Sequence, residues 1–311
     1  MNDIKRRTDW FSKAGFGLFI HYTTLSLPEH GEKKDFFDAV RDFDVDKFVY
    51  QASSCGAKFV FITASHTHMM LPFPLKEMDD IVPNHTAKRD LISELSDKLE
   101  KNGIKLMLYF NGDGSCDKPW QDVTHFEDNQ KLHAEYCYRI AKAISDKYGK
   151  KIHGWWIDCC YDNYLAPHDK IGRGHRYDYA RYADALRSGN PDSIVAFNFR
   201  GTTDWGCEWG IGISDFQAGE ENGLDHLPKS RFDGEGGSQW FALCWMDKYW
   251  VNETPGEPVP VHKNEDVLKY VKEIKKHGGV FAYNCAVYQE GYISDKTFEQ
   301  LMWLKEHGID K

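Results

Sequence analysis

Short apolar segments alternate with longer amphipathic segments along most of the chain. Apolar residues run almost without interruption in FGLFIHY (16–22), KFVFITASH (58–66) and IKLMLYF (104–110), which is typical of strands buried on both faces. Between such segments, apolar positions recur with helical spacing, and several amphipathic segments start at an acidic residue and stop near a glycine. The alternation predicts a parallel sheet whose strands are connected by helices.

The rest of the chain continues this alternation less regularly. Further strands are predicted at 152–158, 193–199, 210–216 and 279–287, with a seventh strand somewhere in 231–247, and helices are predicted at 44–57, 90–103, 127–149, 176–189, 264–278 and 294–308. These units predict an α/β fold, a (β/α)8 TIM-like barrel that is irregular in its sixth to seventh units, with residues 1–311 forming a single catalytic domain. An open, doubly wound sheet is the alternative, but no GxGxxG motif follows the first strand to support it.

Polar residues follow the predicted strands, at the end of the barrel where active sites of this fold lie. These candidates are His21 after the first strand, His66 and His68 after the second, Asp158 after the fourth, Arg200 after the fifth and Glu220 after the sixth. Aromatic residues accompany them, among them Tyr22, Phe36, Trp156 and Trp240. Aromatic faces stack on sugar rings, while carboxylates and histidines bind hydroxyl groups, so the pattern predicts a carbohydrate site containing a carboxylate pair.

Composition and charge exclude several other classes of function. The net charge is −9 and no long basic run occurs, which argues against nucleic acid or an anionic membrane surface as a partner. No apolar run approaches the ~20 residues that span a bilayer, and the first 15 residues do not resemble a secretory signal. The eight cysteines include no CxxC pair, so free thiols and a cytoplasmic location are expected.

Several motifs together resemble a known family, in the same order along nearly the whole chain. They are WFSKAGFGLFIHY (10–22), GAKFVFITASHTHM (56–69), KRDLISELSDKLEKNGIKLMLYF (88–110), IHGWWID (152–158), AFNFRG (196–201), SDFQAGEE (214–221) and GGVFAYNCAV (278–287). The set is similar to the catalytic domain of the α-L-fucosidases of glycoside hydrolase family 29. The C-terminal β-sandwich common in that family has no counterpart here, so a divergent member without it is predicted.

The resemblance implies a retaining glycosidase that acts by double displacement and needs no cofactor. Asp158 falls on the position of the family's nucleophile, and Glu220 on that of an acid/base, with Glu221 and Glu208 as alternatives. His21 and His66 would hold sugar hydroxyls. Arg200 would lie near the acid/base, and Tyr22, Asp35, Phe36, His68, Trp156 and Trp240 are further candidates for substrate binding.

Three departures from the family pattern fall on positions that contact the sugar. The family's His-Trp-Gly is His21-Tyr22-Thr23 here, its His-His-Asp is His66-Thr67-His68, and its Glu-Trp pair becomes Asp35-Phe36. These departures affect the prediction of which sugar is bound more than the prediction of the reaction type. A terminal α-L-fucoside is expected, with another 6-deoxy sugar, an L-galactose-configured sugar or a substituted fucose as alternatives.

Two other functions fit parts of the pattern. A carbohydrate-binding pseudoenzyme would keep the pocket without turnover, and a metal-dependent barrel hydrolase would use the His66-x-His68 spacing together with Asp158. The barrel surface left without a β-sandwich is also a candidate surface for homo-oligomer formation.

Overall fold

The fold is seen in a computed structural model, which describes residues 2–160, 177–198, 213–221, 223–232 and 237–311. The helices are α1 Asn2–Ala14, α2 Phe36–Asp42, α3 Val45–Ser54, α4 Lys76–Asp79, α5 Leu91–Lys101, α6 Lys118–Thr124, α7 Gln130–Tyr148, α8 Tyr179–Arg187, α9 Asn264–Lys276 and α10 Asp295–Glu306. The strands are β1 Phe16–Ile20, β2 Phe59–Thr63, β3 Lys105–Phe110, β4 Ile152–Ile157, β5 Ile194–Phe197, β6 Glu220–Glu221, β7 Phe241–Trp245 and β8 Val280–Asn284.

The eight strands are parallel and belong to one sheet, in the order β5-β4-β3-β2-β1-β8-β7-β6. The first and last strands of the chain therefore pair with each other, as they do when a sheet curls into a barrel. The predicted (β/α)8 TIM-like fold is confirmed. The seventh strand, which the sequence placed only within 231–247, is β7.

Side-chain caps explain where many of the helices begin. In each case the carboxylate, amide or hydroxyl oxygen of the residue before the helix accepts a backbone N–H from the first turn. The capping residues are Asp35, Asp44, Asp90, Asp117, Asn129, Asp178 and Ser294. The acidic residues from which helix starts were predicted are therefore helix caps.

Alternate residues of each strand enter two separate apolar clusters, because successive side chains of a strand point to opposite faces. One cluster fills the barrel and includes Phe19, Phe61, Trp156 and Leu243. The other lies between the strands and the surrounding helices and includes Leu18, Ile62, Trp155 and Cys244.

Helix α1 closes the barrel at the end opposite the strands' C-termini. The side chain of Phe11 is fully buried, and its ring centroid lies 4.9 Å from that of Phe59, 5.0 Å from Phe216 and 5.6 Å from Phe241. The apolar pattern does not predict this helix, because most residues of α1 are polar. A few buried aromatic contacts hold it against the barrel.

The sixth unit is irregular, as predicted, although its strand lies later than the expected 210–216. Of that range, residues 213–216 are described, and they form only an isolated bridge, Phe216 with Gln239. The fully buried Asp215 connects this segment to its neighbours through its backbone, whose N–H donates to the carbonyl oxygen of Val195 at 2.7 Å, and through its side chain. Its carboxylate accepts hydrogen bonds from Arg7 at 2.7 Å, Arg187 at 2.7 Å and the backbone N–H of Val195 at 2.9 Å, so a side chain takes part of the role of a strand ladder.

Gly219 allows the chain to resume as a strand directly afterwards. Its φ is +61°, and a Cβ at this position would lie 2.0 Å from the carbonyl oxygen of Phe241, so only glycine fits. Strand β6 follows and pairs with β7, with Glu220 beside Leu243 and Glu221 beside Cys244. Asp215 and Gly219 therefore fix where Glu220 enters the barrel.

The cysteines that the structure describes are free thiols, and all of them except Cys116 are buried. In the described parts of the chain, no helix combines the length and the apolar character needed to cross a bilayer.

Candidate active site

A pocket of about 360 Å³ opens at the C-terminal ends of the strands. Five of the predicted site residues line it: His21, His66, Trp156, Asp158 and Glu220. They lie in β4 and β6 or within three residues after β1, β2 and β4. The barrel thus brings together residues that are as many as 199 positions apart in the sequence.

Asp158 is the first residue after β4 and is held by two side chains. The phenol of Tyr109 donates to its Oδ2 at 2.5 Å, and the amide of Asn198 donates to its Oδ1 at 3.2 Å. The Tyr109 ring stacks on Trp156, with centroids 5.4 Å apart and planes 17° from parallel. The carboxylate is therefore oriented by groups that are themselves packed in the barrel.

Asn198 connects the two carboxylates of the pocket. The same nitrogen that donates to Asp158 also donates to Oε2 of Glu220 at 2.7 Å. The distance between these two carboxylate oxygens therefore cannot exceed the sum of their two distances from the Asn198 nitrogen. One amide at the end of β5 sets the spacing of carboxylates that belong to β4 and β6.

Glu220 is only 7% exposed, and its surroundings disfavour its charged form. Burial and, second, the nearby charge of Asp158 raise the pKa of Glu220 to about 8, against the opposing effect of the Asn198 hydrogen bond. Glu220 is consequently protonated at neutral pH. The pocket thus contains a carboxylic acid that can give up a proton.

Glu221 faces the other side of the sheet, away from the pocket. Its carboxylate accepts hydrogen bonds from the phenol of Tyr270 on α9 and from His226, whose Nδ1 lies at 2.9 Å. Burial raises the pKa of Glu221 to about 8 as well. The two adjacent glutamates share burial and protonation behaviour, but only Glu220 reaches the pocket.

Two neutral histidines line the same pocket as the carboxylates. Burial, and then the neighbouring His66, lower the pKa of His21 to about 3, and its Nδ1 lies 2.7 Å from Oδ1 of Asn284. Since that amide oxygen can only accept, Nδ1 carries the proton and Nε2 is left as an acceptor. Burial also lowers the pKa of His66, whose ring lies 5.6 Å from that of His21.

Three buried polar atoms of residues that line the pocket have no hydrogen-bond partner among the described residues. They are Nδ1 of His66, Oγ1 of Thr67 and Nε1 of Trp250. A buried polar group without a partner costs about 1–3 kcal/mol, so such groups are rare unless a ligand completes them. Their position next to the carboxylates is suited to a ligand rich in hydroxyl groups.

Comparison with known proteins identifies the family. A sequence model described as alpha-L-fucosidase matches residues 32–308. The chain belongs to the α-L-fucosidase family. It is thus a glycoside hydrolase of the fucosidase type. No curated protein sequence matches the chain significantly.

Several solved structures share the fold at low sequence identity. Alpha-L-fucosidase isoenzyme 1 from Paenibacillus thiaminolyticus is 19% identical with a TM-score of 0.70, and the match covers 98% of this chain and 76% of that one. The alpha-fucosidase of Thermotoga maritima, solved with a mechanism-based inhibitor, is 18% identical with a TM-score of 0.65, covering 97% and 74%. An endo-fucoidan hydrolase of glycoside hydrolase family 107 is 13% identical with a TM-score of 0.71, covering 96% and 92%.

Two of the residues that the fucosidase resemblance nominated on the first loop lie in the outer core instead. Tyr22 directs its hydroxyl to the carbonyl oxygen of Gln289 at 2.9 Å and packs against Phe36, with ring centroids 5.8 Å apart. Neither ring lines the pocket. Tyr22 follows His21 directly, so the alternation of an extended chain turns it towards the helices.

Three other nominated residues also lie away from the pocket. Asp35 is an exposed cap of α2, where it accepts the N–H of Phe37 at 2.9 Å. His68 turns aside to Thr24, with 3.0 Å between its Nδ1 and the threonine Oγ1. Trp240 precedes β7 and is therefore buried at the opposite end of the barrel. Arg200 and Glu208 lie outside the described residues.

The metal site hypothesised on His66, His68 and Asp158 is not seen: His68 contacts Thr24 and does not line the pocket that contains the other two residues. Among the residues that the structure describes, no group of three or more His, Cys, Asp or Glu side chains is arranged to hold a metal ion.

Residues outside the predicted set of site residues supply much of the pocket. Tyr109 and Asn198 hold the carboxylates, while Trp245, Tyr249 and Trp250, in and after β7, form a wall. The sequence does mark Asn198, because it is one of the polar residues that follow the predicted strands. The aromatic residues after β7 lie in a segment without periodicity, so the sequence offered no comparable signal for them.

We expect kcat/KM on a fucoside with a poor leaving group to fall as pH rises through about 8, because Glu220 then loses the proton that the leaving oxygen needs. A pH–rate profile between pH 5 and 10 measures this limb. Glu221→Gln is the matched control, since Glu221 has a similarly raised pKa but faces away from the pocket. If Glu221→Gln no longer shows the fall in kcat/KM above pH 8, the titrating group is Glu221 and not Glu220.

Proposed function

We propose that this protein is a retaining α-L-fucosidase that releases a terminal α-L-fucosyl residue by double displacement. Asp158 is the nucleophile and Glu220 the acid/base. The observation that carries the proposal is the single amide nitrogen of Asn198 that donates to both carboxylates, at 3.2 Å and 2.7 Å.

This shared donor supports retention because it limits the spacing of the carboxylates. Retaining glycosidases have their two carboxyl groups ~5–5.5 Å apart, whereas inverting enzymes leave ~6.5–9.5 Å for a water molecule. The two oxygens bonded to Asn198 are closer than the lower limit of the inverting range, because their separation cannot exceed the sum of the two bonds. This spacing favours direct attack by the Asp158 carboxylate over the inverting arrangement, in which a water molecule lies between one carboxylate and the sugar.

In the first step, an oxygen of Asp158 attacks the anomeric carbon while the bond to the leaving group breaks. Glu220 gives its proton to the leaving oxygen, and a glycosyl-enzyme ester forms on Asp158. Tyr109 stays bonded to the other carboxylate oxygen and keeps the attacking one in place.

In the second step, Glu220 removes a proton from water, which attacks the same carbon and releases fucose and the Asp158 carboxylate. Esterification supports this change of role. The ester carries no charge, so one of the two causes that raise the pKa of Glu220 is lost while the intermediate exists. A larger fraction of Glu220 is then in the carboxylate form, which is the form that can take a proton from water.

The pocket residues supply polar groups of the kind that hold sugar hydroxyls. Nε2 of His21, whose Nδ1 is bonded to Asn284, can accept a hydrogen bond from a hydroxyl. The walls of Trp156, Trp245 and Trp250 suit the apolar face and methyl group of a 6-deoxy sugar. Arg200 remains a predicted contact near the acid/base.

A cytoplasmic location is part of the proposal. It is supported by the free thiols of Cys55, Cys137, Cys244 and Cys285, which persist unpaired most readily in a reducing compartment.

The stereochemistry of the first product tests the proposal. Hydrolysis of an aryl α-L-fucoside, followed by NMR within the first minutes, should show α-L-fucose before mutarotation produces the β-anomer. β-L-Fucose as the first product would indicate inversion and remove the double displacement. Cleavage of another aryl glycoside in preference to the fucoside would change the sugar but keep the mechanism.

A further inference from the structure

A buried histidine, His85, lies between two groups that accept hydrogen bonds. Its side chain is only 11% exposed. Its Nδ1 lies 3.1 Å from the carbonyl oxygen of Pro83, and its Nε2 lies 3.2 Å and 3.1 Å from the two oxygens of the Asp117 carboxylate. A neutral imidazole has one N–H and could donate to only one of these partners. Both ring nitrogens therefore carry a proton, and His85 is an imidazolium.

The Asp117 carboxylate is ionised, because it accepts hydrogen bonds from two further donors. Its Oδ2 accepts the backbone N–H of Met69 at 2.9 Å, and its Oδ1 accepts that of Trp120 at 3.2 Å, which caps α6. Burial opposes the charge, but the hydrogen bonds from His85, Trp120 and Met69 lower the pKa of Asp117 below its ordinary value. His85 and Asp117 therefore form a buried ion pair.

The segment that Asp117 holds carries two residues of the catalytic pocket. Residues 64–71, which we call the β2 loop, include His66 and Thr67, and both of these line the pocket. Cys116, the residue before Asp117, donates its N–H to the carbonyl oxygen of Thr67 at 2.8 Å. The β2 loop is therefore held at the pocket residues themselves and again directly after them.

His85 also holds the end of the β2 loop through its backbone. Its carbonyl oxygen accepts the N–H of Leu71 at 2.8 Å, and the carbonyl oxygen of Leu71 accepts the N–H of Ala87 at 2.9 Å. His85 is thus connected to the loop twice, by its backbone and, through Asp117, by its side chain. Only the side-chain connection depends on the charge of the imidazole ring.

Two carboxylates among the described residues act on the charge of His85. They are Asp117 and Asp79 of α4, whose Oδ1 accepts the backbone N–H of His85 at 3.1 Å. Burial favours the neutral ring. The hydrogen bonds to Asp117 and Pro83 and the charges of both carboxylates outweigh it, and they raise the pKa of His85 above its ordinary value of about 6.5. The ion pair is thus complete below that ordinary value and is lost as pH rises through the raised pKa.

We propose that His85 is a positioning residue for catalysis: as an imidazolium it holds the Asp117 carboxylate, which fixes the β2 loop so that His66 and Thr67 reach the substrate. The effect on activity rests on the proposed function, whereas the effect on the loop does not. A charge outside the pocket thereby controls the placement of two of its residues.

The kinetic test uses a dinitrophenyl α-L-fucoside, whose leaving group needs no proton from Glu220. In wild type, kcat/KM on this substrate should still fall as pH rises from 5 to 10, because His85 loses its charge. His85→Gln should show no such fall, since an amide can donate to Asp117 but does not titrate. His277→Gln is the matched control and should keep the wild-type profile, because His277 pairs with Glu273 at 3.1 Å beside α9, away from the β2 loop.

Amide hydrogen exchange measures the β2 loop without any substrate. His85→Ala should lower the protection of the Met69 N–H, which donates to Asp117, and leave that of the Ala64 N–H, which donates to the carbonyl oxygen of Tyr109. The same variant should lower kcat/KM by up to roughly 100-fold, as a small displacement of groups in an active site can.

An alkaline fall that persists in His85→Gln would assign it to another group and overturn the inference, and a flat wild-type profile would do the same. Unchanged protection of Met69 in His85→Ala would also overturn it. If the alanine variant does not fold, the profiles of wild type and His85→Gln decide. If wild type cleaves no fucoside, the proposed function fails, and the exchange result alone decides whether His85 fixes the loop.

Discussion

Asp158→Ala should lower kcat/KM on an aryl α-L-fucoside by roughly 10⁴- to 10⁶-fold, the range seen when a covalent catalyst loses its nucleophile or that residue's partner. The change removes the atom that attacks the anomeric carbon. It should leave the fold intact, because Asp158 lies at a strand end facing the pocket and β4 is held by its neighbours β3 and β5. Steady-state kinetics and thermal unfolding of the variant measure the two effects.

Azide rescue then distinguishes a nucleophile from a residue that only shapes the pocket. Azide can enter the space vacated in Asp158→Ala and attack an activated aryl fucoside from the same side, giving β-L-fucosyl azide. Asp35→Asn is the control, since an asparagine can still cap α2 and the site lies away from the pocket. Near-normal activity in Asp158→Ala, or an α-configured azide product, would rule out Asp158 as the nucleophile.

Glu220→Ala should slow hydrolysis of fucosides with poor leaving groups by roughly 10²- to 10⁴-fold, the usual contribution of a positioned acid. Formation of the glycosyl-enzyme from a dinitrophenyl fucoside should suffer far less, because that leaving group needs no proton. The difference should appear as a steep dependence of kcat/KM on leaving-group pKa, measured over a series of aryl fucosides.

The same variant also tests the second step. Without the general base, the glycosyl-enzyme should accumulate. Azide needs no base to attack it and should convert it to α-L-fucosyl azide. This is the opposite anomer from the azide product of Asp158→Ala. Glu221→Gln is the control and should keep the leaving-group dependence of wild type, because its side chain contacts Tyr270 and His226 outside the barrel. Equal sensitivity of all leaving groups in Glu220→Ala would place the acid/base elsewhere.

The predicted fold depended on local patterns that tertiary contacts reinforced. The apolar segments at 16–22, 58–66 and 104–110 became β1, β2 and β3 because both faces of each strand are buried. The sixth strand was misplaced because residues 213–216 form only an isolated bridge, while their Asp215 carboxylate is bound by Arg7 and Arg187, residues distant in sequence. No local pattern contains such partners.

The candidate site was found where strand ends coincided with polar residues. Asp158, Glu220, His21, His66 and Trp156 line one pocket for that reason. Five other residues that were predicted to bind the substrate do not line the pocket: Tyr22, Asp35, Phe36, His68 and Trp240. A residue assigned through a motif can lie away from the pocket when the loop that carries the motif takes another course.

The sequence by itself determined the strand–helix alternation, the family and the strand ends at which polar groups collect. The tertiary structure alone decided which member of each adjacent pair enters the barrel. His21, Trp156 and Glu220 face the interior, whereas Tyr22, Trp155 and Glu221 face the helices. Neighbouring residues of a strand point to opposite faces, so a shift of one position exchanges them. The curl of the sheet and its pairing register settle that choice.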